Sequence, residues 1–490
     1  MTRTTSTRDE ALRHAVERCR ERHILIPTFA ELRDPSLIPA SVRERLRTVA
    51  MNDLDPVNLF RITWKNEPVE RGGLYGQGNW MEFPSVFTGV EARIVGLVGR
   101  HFPTGAHKVG AAFGCLAPRL VTGGFDPVRQ KAVWPSTGNY CRGGVFDCAL
   151  LACPSVAILP EEMSQERFEW LRATGADEVI ATPGSESNVK EIYDKCHQLR
   201  RERGDGIVVF NQFEEFGNAI WHYHTTGAAI EDVWQLLRSD RDRLSAFVSA
   251  TGSAGTIAAG DALKARHPAL RITAVEALQC PTLYACGYGA HRIEGIGDKH
   301  VPWIHDVRNT DLVCAVDDEQ CMALLRLVNE EAGQGWLATH GVPTDLVERL
   351  PLLGISSLCN LVAAIQTARY FELGTHDFVF TVLTDSSDLY RSRLAELHAE
   401  RGAYTSERAA RDFSRYLEGI GTDHLRELSF RDRKALHNLK YFTWVEQQGR
   451  TVEELDRLWA PDFWTETYAQ VDAWDDDIRA FNRMTGLATA

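Results

Sequence analysis

Short apolar runs alternate with longer amphipathic segments from about residue 90 to residue 394, and this rhythm restricts the chain to few folds. The runs are rich in β-branched residues and apolar throughout, which is typical of strands buried on both faces of a parallel sheet. Such strands are predicted at residues 92–98, 131–134, 155–159, 178–181, 207–210, 246–250, 272–275 and 378–383. Helices are predicted between them, for example at residues 165–174, 189–203, 218–237 and 256–267. We therefore predict an α/β fold with open, mostly parallel sheets, in which ligands bind at the carboxyl ends of the strands.

The two ends of the chain lack this alternation of apolar runs and amphipathic segments. Residues 1–87 are predicted to form an N-terminal extension of polar helix and loop. Residues 395–490 are charged and helical in composition, and they are predicted to form a helical C-terminal appendage that carries Trp444, Trp459, Trp464 and Trp474. A chain of 490 residues has room for two or three packed units of roughly 100–200 residues each. Residues 88–394 are therefore predicted to form the core between the two extensions.

The charge balance and the cysteines exclude several classes of protein. The chain has 67 acidic and 54 basic residues and a formal net charge of -13, which repels phosphate backbones and anionic membranes. We predict neither a nucleic acid nor a membrane as partner. No apolar stretch is long enough to cross a bilayer, and the N-terminus has no apolar signal core. The eleven cysteines form no CxxC pair and no zinc-like spacing, so a cytoplasmic protein without a metal site is expected.

The first of four loops that could carry chemistry is HFPTGAHKVGAAFG, residues 101–114, which follows a predicted strand. Lys108 lies there beside the small residues Gly105 and Ala106. If the amine points inward, burial lowers its pKa and frees it for Schiff-base chemistry. An ordinary surface lysine at the start of a helix is the alternative reading of the same residues.

The second loop is PSTGNYCRGG, residues 135–144. Ser136, Thr137 and Asn139 bring hydrogen-bonding side chains into a turn that contains glycine, and such a turn can bind a carboxylate or a phenolic oxygen. A plain capped turn is the alternative.

The third loop is SATGSAGTIAAG, residues 249–260. Its small residues let the backbone approach an anion, so that backbone N–H groups and the start of the next helix can hold a phosphate. A tight turn for helix packing is the alternative. The chain has neither GxxxxGK[ST] nor GxGxxG, so a nucleoside triphosphate or a dinucleotide is not predicted.

The fourth loop ends the strand in FVFTVLTDSSDLY, residues 378–390. Thr384, Asp385, Ser386 and Ser387 are polar groups at the carboxyl end of a strand, where they can face a ligand. The same residues can instead cap the helix that follows.

Taken in this order, the four loops resemble the fold-type II pyridoxal-phosphate-dependent enzymes, and most of all the cysteine synthase and cystathionine β-synthase family. The resemblance implies a two-lobed core like that of tryptophan synthase β, with pyridoxal 5'-phosphate as cofactor. PTGAHK resembles the family's lysine motif and implies that Lys108 binds the cofactor as a Schiff base. LTDSSDLY implies that Ser386 faces the pyridine nitrogen, with Asp385 as the alternative. GSAGT resembles the phosphate loop and implies that the phosphate is bound by Gly252, Ser253, Ala254, Gly255 and Thr256.

The resemblance also implies where a substrate binds. STGNY is similar to the family's substrate-carboxylate loop, which implies that Asn139 lies near the ring hydroxyl of the cofactor. The segment at residues 211–227 resembles the one that offers a glutamine, here Gln212, to the substrate. The segment HRIEGIGDKHVPWI, residues 291–304, resembles the family's mobile active-site segment. The implied substrate contacts from these stretches are Ser136, Thr137, Gly138, Gln212 and Gly295.

Several residues depart from the family's pattern. Val109 and Gly110 follow the lysine where relatives often carry a charged pair, and Tyr140 and Cys141 replace small residues after Asn139. A bulky Tyr140 is expected to reshape the pocket beside the substrate carboxylate. Residues 333–351 look like an insertion. These departures leave the identity of the substrate open.

The expected reaction is β-replacement or β-elimination on a small serine- or cysteine-like amino acid, through an aminoacrylate, with a thiol or another nucleophile as second substrate. Lys108 is expected to act as the general base at Cα. If Asp385 faces the pyridine nitrogen, a lyase, a racemase or a γ-substituting enzyme of the same fold becomes the alternative. A non-catalytic subunit that binds the cofactor for regulation is the alternative of another class. The family also implies a homodimer.

Overall fold

The computed structural model describes residues 5–136, 138–184 and 189–487, so that Thr137 lies outside the described residues. Its strands, in chain order, are β1 (Trp80–Phe83), β2 (Arg93–Val98), β3 (Lys131–Pro135), β4 (Ser155–Pro160), β5 (Glu178–Thr182), β6 (Ile207–Val209), β7 (Arg243–Ala250), β8 (Arg271–Ala277), β9 (Leu312–Val316), β10 (Asp377–Leu383) and β11 (Leu425–Glu427). Its α-helices are α1 (Thr5–Glu21), α2 (Phe29–Arg33), α3 (Ala40–Leu46), α4 (Ser85–Thr88), α5 (Lys108–Val121), α6 (Asn139–Leu150), α7 (Gln165–Ala173), α8 (Val189–Arg203), α9 (Phe216–Trp221), α10 (Gly227–Leu237), α11 (Ile257–Arg266), α12 (Thr282–Ala285), α13 (Asp318–Asn329), α14 (Glu331–Thr339), α15 (Thr344–Arg349), α16 (Ile355–Tyr370), α17 (Arg391–Arg401), α18 (Ser406–Phe413), α19 (Phe430–Lys440), α20 (Val452–Arg457) and α21 (Pro461–Thr485).

The strands form two sheets, which define a small and a large lobe. The sheet of the small lobe is parallel throughout and has the order β5-β4-β3-β6. The sheet of the large lobe has the order β1-β2-β10-β7-β8-β9-β11, and its five inner strands are parallel. All seven residues of β10 are buried, as expected for a strand covered on both faces. The predicted α/β class with mostly parallel sheets is confirmed.

The sequence pattern did not predict three of the described strands of the large sheet, namely the edge strands β1 and β11 and the inner strand β9, which lies between β8 and β11. β1 and β11 pair antiparallel with β2 and β9, although residues 1–87 were expected to be helix and loop and residues 395–490 to be helical. β1 has four residues and β11 has three, too few for a periodic pattern to be recognised. The predicted helix at residues 218–237 is also divided, because a π-helical turn at His222–Thr226 separates α9 from α10.

The N-terminal extension and the C-terminal appendage pack against each other. The carboxylate of Asp475 on α21 accepts hydrogen bonds from the backbone N–H groups of Phe29, at 2.6 Å, and Ala30, at 3.1 Å, in the first turn of α2. A carboxylate at a helix N-terminus satisfies donors that have no partner within the helix. The division of the chain at residues 87 and 394 stays a prediction, since β1 joins the large sheet and α17 crosses the second boundary.

The appendage also holds the end of the active-site segment predicted at residues 291–304, and the residue that follows it. Trp444 is fully buried, and its indole N–H donates to the carbonyl of Val301 at 2.9 Å. The buried amine of Lys440 donates to the carbonyls of Trp303, at 2.9 Å, and His305, at 2.7 Å. Burial lowers the pKa of Lys440 to about 7. The appendage therefore restrains residues 301–305 through side chains that the core itself does not supply.

Within the described ranges, no helix is both long and apolar enough to cross a membrane.

We predict that Trp444→Ala lowers the free energy of unfolding by about 3–5 kcal/mol, because it removes a fully buried indole and leaves a cavity. The measurement is the midpoint of thermal unfolding. Phe442→Ala is the matched control, because Phe442 lies in the same turn but is 61% exposed and its loss should change stability by about 0.5 kcal/mol or less. Equal effects of the two substitutions would contradict the assigned role of Trp444.

Candidate active site

The carboxyl ends of strands from both sheets face a cleft with about 470 Å³ of free space, its open mouth included. Lys108 enters it from the start of α5, Ser136 and Asn139 from the loop after β3, and Gly252 and Thr256 from the loop after β7. Parallel strands end at the same edge of a sheet, which is why loops distant in sequence meet here. The structure thus brings together residues from all four loops, since Thr384 of the fourth loop also lines the cleft.

Glycines allow α5 to pack very closely against its neighbours. A Cβ on Gly114 would lie 2.4 Å from the carbonyl oxygen of Gly217 on α9, and one on Gly217 would lie 2.2 Å from that of Gly114. A Cβ on Gly110 would lie 2.1 Å from the ring of Trp221. This contact explains why Gly110 departs from the family's pattern, since no larger side chain fits beside Trp221.

Lys108 is half-buried, and its amine donates to the hydroxyl of Ser253 at 3.3 Å. The preceding residue, His107, is buried behind it, with its ring stacked 5.4 Å from Trp64 and edge-on at 5.1 Å to His222. Burial lowers the pKa of His107 to about 3, with a smaller effect from the nearby charge of Lys108. His107 is therefore uncharged at neutral pH and does not compete with Lys108 for an anion.

The loop from Gly252 to Thr256 forms a cradle between β7 and α11. Ala254 has φ of 61°, a left-handed conformation that small residues in functional loops can adopt at some cost. The amide of Asn218 on α9 donates to Ser253 Oγ at 2.9 Å, and this hydrogen bond holds the loop against α9. A Cβ on Gly255 would lie 2.0 Å from Asn218 Oδ1, so glycine is required there. The cradle and the start of α11 together suit a phosphate group.

A buried network fixes the orientation of Asn139. Its Nδ2 donates to Asp385 Oδ2 at 2.6 Å, and its Oδ1 accepts from Arg142 at 3.4 Å. Tyr390 donates to the same Asp385 oxygen at 2.8 Å, and Arg167 donates to the Tyr390 hydroxyl at 3.1 Å. Burial raises the pKa of Asp385, and the charge of Arg167 opposes this shift. Asp385 therefore affects the cleft indirectly, because its carboxylate fixes the orientation of the Asn139 amide.

At the end of β10, Thr384 lines the cleft, whereas Asp385 and Ser386 are not among the residues that line it. Ser386 donates to Asp388 Oδ2 at 3.2 Å. The assignment of Ser386 or Asp385 to the pyridine nitrogen stays a prediction. Sequence reasoning named Thr384 only as one polar group of the fourth loop and did not single it out.

The predicted substrate loop carries a compact set of hydrogen bonds. Ser136 Oγ accepts from the backbone N–H of Gly138 at 3.1 Å and from Gln212 at 3.4 Å. Gly295, in the active-site segment, also lines the cleft. Tyr140 lines the cleft as well, but it is 1% exposed and packs edge-on against Trp134 with ring centroids 5.4 Å apart. Much of the bulk of Tyr140 therefore lies in the core.

Three further residues of the site carry no local signal that sequence reasoning recognised. Asn360, in the middle of α16, accepts from the backbone N–H of Ala250 at 2.8 Å and donates to the carbonyl of Val382 at 2.8 Å, and so joins the ends of β7 and β10 beside the cleft. In the sequence, only the adjacent Lys108 draws attention to His107. The third of these residues is Asp298, in the active-site segment.

Asp298 is a buried carboxylic acid of the active-site segment. Its Oδ2 has no hydrogen-bond partner among the described residues. Burial raises its pKa to about 7, and the nearby charge of Lys108 opposes this shift. A carboxyl group with such a pKa next to a lysine is typical of sites that move protons at neutral pH.

Comparison with known proteins identifies the family. Residues 98–337 match the family described as pyridoxal-phosphate dependent enzyme. The chain is 33% identical over 261 residues to the cysteine synthase of Staphylococcus aureus, an alignment that covers 53% of this chain and 75% of that protein. The chain therefore belongs to the pyridoxal-phosphate-dependent enzyme family of which that cysteine synthase is a member.

Solved structures show the same fold. The O-acetylserine dependent cystathionine β-synthase of Helicobacter pylori is similar with a TM-score of 0.54 and 24% identity, over 65% of this chain and 95% of that one. The O-acetylserine sulfhydrylase isoform 3 of Entamoeba histolytica is similar with a TM-score of 0.55 and 20% identity, over 69% of this chain and 93% of that one. The fold-type II architecture inferred from the loops is confirmed.

The residues present fit pyridoxal 5'-phosphate, the cofactor of this family. Lys108 reaches the cradle with its amine, and a Cβ on Gly252 would lie 2.6 Å from the carbonyl oxygen of Gly295, so the cradle leaves no room for a side chain there. Asp385 Oδ1 is a buried acceptor without a partner among the described residues, at the far end of the network that holds Asn139. An amine, a small-residue anion cradle and a fixed amide thus surround one cleft.

We predict that Gly255→Ala weakens cofactor binding at least about tenfold, because its methyl group would collide with Asn218 and displace the cradle. The measurement is titration of the apoenzyme with pyridoxal phosphate, followed by visible absorbance. Gly335→Ala is the matched control, because a Cβ there meets nothing within 4 Å. Unchanged affinity in Gly255→Ala would contradict the assignment of the cradle.

Proposed function

We propose that the protein catalyses β-replacement or β-elimination on a serine- or cysteine-like amino acid with pyridoxal phosphate. The observation that supports this most is the position of Lys108, whose amine lies 3.3 Å from Ser253 in the cradle, in the same cleft as the Ser136 loop. One lysine can therefore reach both a cofactor bound in the cradle and a substrate held beside it. The name of the Staphylococcus aureus relative, cysteine synthase, supports a cysteine-like product, and an O-activated serine is the substrate class that this proposal assigns.

When bound, pyridoxal phosphate supplies the electron sink that makes a substrate Cα–H bond acidic. The chain would hold it through Lys108, through the backbone N–H groups of residues 252–256 and through Asn139. Asp385 and Arg142 hold opposite ends of the Asn139 amide, so the amide keeps one orientation toward the ring.

The Ser136 loop and Gln212 would bind the substrate carboxylate through hydroxyl and amide groups. Of the described residues that line the cleft, only Lys108 and His107 have basic side chains, and burial lowers the pKa of His107 to about 3. The carboxylate would therefore be bound by neutral donors, which hold an anion without pairing it with a fixed cation. Lys108 stays available for proton transfer.

Lys108 would remove the Cα proton as general base, and Asp298 would be a second group that holds a proton nearby. Burial raises the pKa of the Asp298 carboxyl to about 7, so its charge changes near neutral pH, and the nearby Lys108 would sense that change. Cleavage at Cβ, with loss of the leaving group, would be followed by addition of a thiol, or by hydrolysis with water that releases a keto acid and ammonia.

The arrangement around Asp385 bears on the alternative reactions. A lyase, racemase or γ-substituting enzyme of the same fold would be favoured if a carboxylate faced the pyridine nitrogen. One oxygen of Asp385 is instead engaged by Asn139 and Tyr390, which favours β-chemistry. The homodimer and the cytoplasmic location stay predictions, and the amino-acid substrate and thiol partner belong to this proposal.

We predict that the purified holoenzyme converts O-acetylserine and a thiol to a thioether and acetate, or O-acetylserine and water to pyruvate, ammonia and acetate. Products are measured by mass spectrometry. Lys108→Ala should lower turnover by about 10²–10⁴-fold, because it removes the general base. Exchange of the Cα proton with solvent deuterium, without product, would instead support the racemase-like alternative. A cofactor spectrum that no amino acid changes would support a non-catalytic subunit.

We predict that the pH profile of kcat has an inflection near pH 7 that disappears in Asp298→Asn. The Asp298 carboxyl is protonated below its raised pKa of about 7 and ionised above it, whereas the amide does not titrate. Asp261→Asn is the matched control, since burial also raises the pKa of Asp261 to about 7, but this carboxylate bonds to Tyr468 in the appendage. An unchanged inflection in Asp298→Asn would exclude Asp298 as its source.

A further inference from the structure

Arg167 on α7 joins the two lobes from a fully buried position. The helix lies in the small lobe, between β4 and β5, whereas the active-site segment follows β8 of the large lobe. The guanidinium of Arg167 pairs with Glu294 of that segment, with 2.8 Å between Nη1 and Oε2, and Glu294 is also buried. Gly295, the next residue, lines the catalytic cleft. Arg167 therefore contacts the active-site segment directly beside a predicted substrate contact.

The same side chain packs on the substrate loop after β3. A Cβ on Gly138 would lie 2.6 Å from both Cδ and Nη1 of Arg167, so the arginine lies directly against the backbone of this loop. Gly138 also has φ of 148°, a conformation that residues with a side chain rarely adopt. The loop can approach Arg167 this closely because residue 138 is glycine. One arginine thus contacts both of the segments that are predicted to bind the substrate.

The hydrogen bonds that orient Asn139 toward the cofactor site do not require Arg167. Its Nη2 donates to the Tyr390 hydroxyl at 3.1 Å, and that hydroxyl in turn donates to Asp385 Oδ2 at 2.8 Å. Without Arg167, Tyr390 can still donate to Asp385, and Asp385 can still accept from Asn139. Loss of Arg167 should therefore affect the substrate side of the cleft more than the cofactor side.

Glu294 and α7 each have a second anchor. Arg393 on α17 pairs with the other oxygen of Glu294, with 2.7 Å between Nε and Oε1. Glu166, next to Arg167, accepts from the backbone N–H of Ser392 at 2.9 Å and from its hydroxyl at 2.8 Å. These contacts would keep Glu294 paired and α7 docked on α17 without Arg167. A buried ion pair adds little net stability, because desolvation offsets the attraction, but the planar guanidinium fixes the direction of each partner.

We propose that Arg167 is a positioning residue for substrate binding. It holds the substrate loop at Gly138 and the active-site segment at Glu294 in one relative arrangement, so that both segments face the substrate at the spacing that binds it. The proposal rests on the proposed function in taking an amino acid as the substrate. It assigns Arg167 no contact with the reacting atoms.

Steady-state kinetics of the holoenzyme with O-acetylserine and a thiol test this role. In Arg167→Met, KM for O-acetylserine should rise at least about tenfold while kcat changes less than about threefold, because binding is lost more than the chemical step. Arg167→Lys should recover at least about threefold of this loss, since lysine restores a charge beside Glu294. A fall in kcat that matches the rise in KM, or an equal loss of affinity for pyridoxal phosphate, would overturn the proposal.

Arg393→Met is the matched control, because Arg393 pairs with the same carboxylate from the side of α17. Its KM for O-acetylserine should stay within about twofold of the wild-type value. An equal rise of KM in the two variants would overturn the proposal, since the effect would then come from the charge of Glu294 alone. If Arg167→Met does not fold, the double variant with Glu294→Gln removes the partner charge too. It should show the same rise of KM over Glu294→Gln alone, and no rise there would also overturn the proposal.

Hydrogen exchange of the holoenzyme, followed by mass spectrometry, tests the positioning without turnover. In Arg167→Met, the backbone amides of residues 136–142 and 293–298 should exchange at least about fivefold faster than in the wild type. Arg393→Met should leave exchange at residues 136–142 unchanged. Unchanged exchange in both segments of Arg167→Met would overturn the proposal. Faster exchange in a protein whose wild type converts no amino acid would overturn the proposed function and would still support the positioning role of Arg167.

Discussion

The backbone contact between α5 and α9 is the constraint on which the rest of the active site depends. Gly114 and Gly217 lie so close that neither could carry a side chain. Because the helices touch there, Lys108 at the start of α5 and Asn218 on α9 both reach Ser253 in the cradle. A methyl group at this contact would push the helices apart, and displacements of about 1 Å can reduce catalysis by about 10²-fold.

Burial determines which groups of the site are charged. It lowers the pKa of His107 to about 3, so this ring is uncharged at neutral pH, and it raises the pKa of Asp298 to about 7, so this carboxyl changes its charge near neutral pH. Asp385 is bound by Asn139 and Tyr390 at the edge of the cleft. An amino acid entering the cleft would meet the amine of Lys108 and, in Ser136 and Gln212, neutral hydrogen-bond donors.

The N-terminal extension and the C-terminal appendage lie outside residues 98–337, which match the family, and they add contacts that hold the active-site segment in place. The appendage holds residues 301–305 through Lys440 and Trp444, a few residues after Asp298. α21 also caps α2 through Asp475, so the two ends of the chain form one support. The segment that carries Gly295 and Asp298 thus connects the catalytic cleft with the appendage.

The sequence by itself determined the inner strands other than β9, and the loops that carry the site. Buried parallel strands must be apolar throughout, and a loop that binds phosphate must be small, so β7 and the cradle were recognisable from composition alone. Only the tertiary structure decided the roles of His107, Asp298, Thr384 and Asn360, and the edge positions of β1 and β11. Each of these depends on burial or pairing with residues far away in sequence, and no local pattern records such contacts.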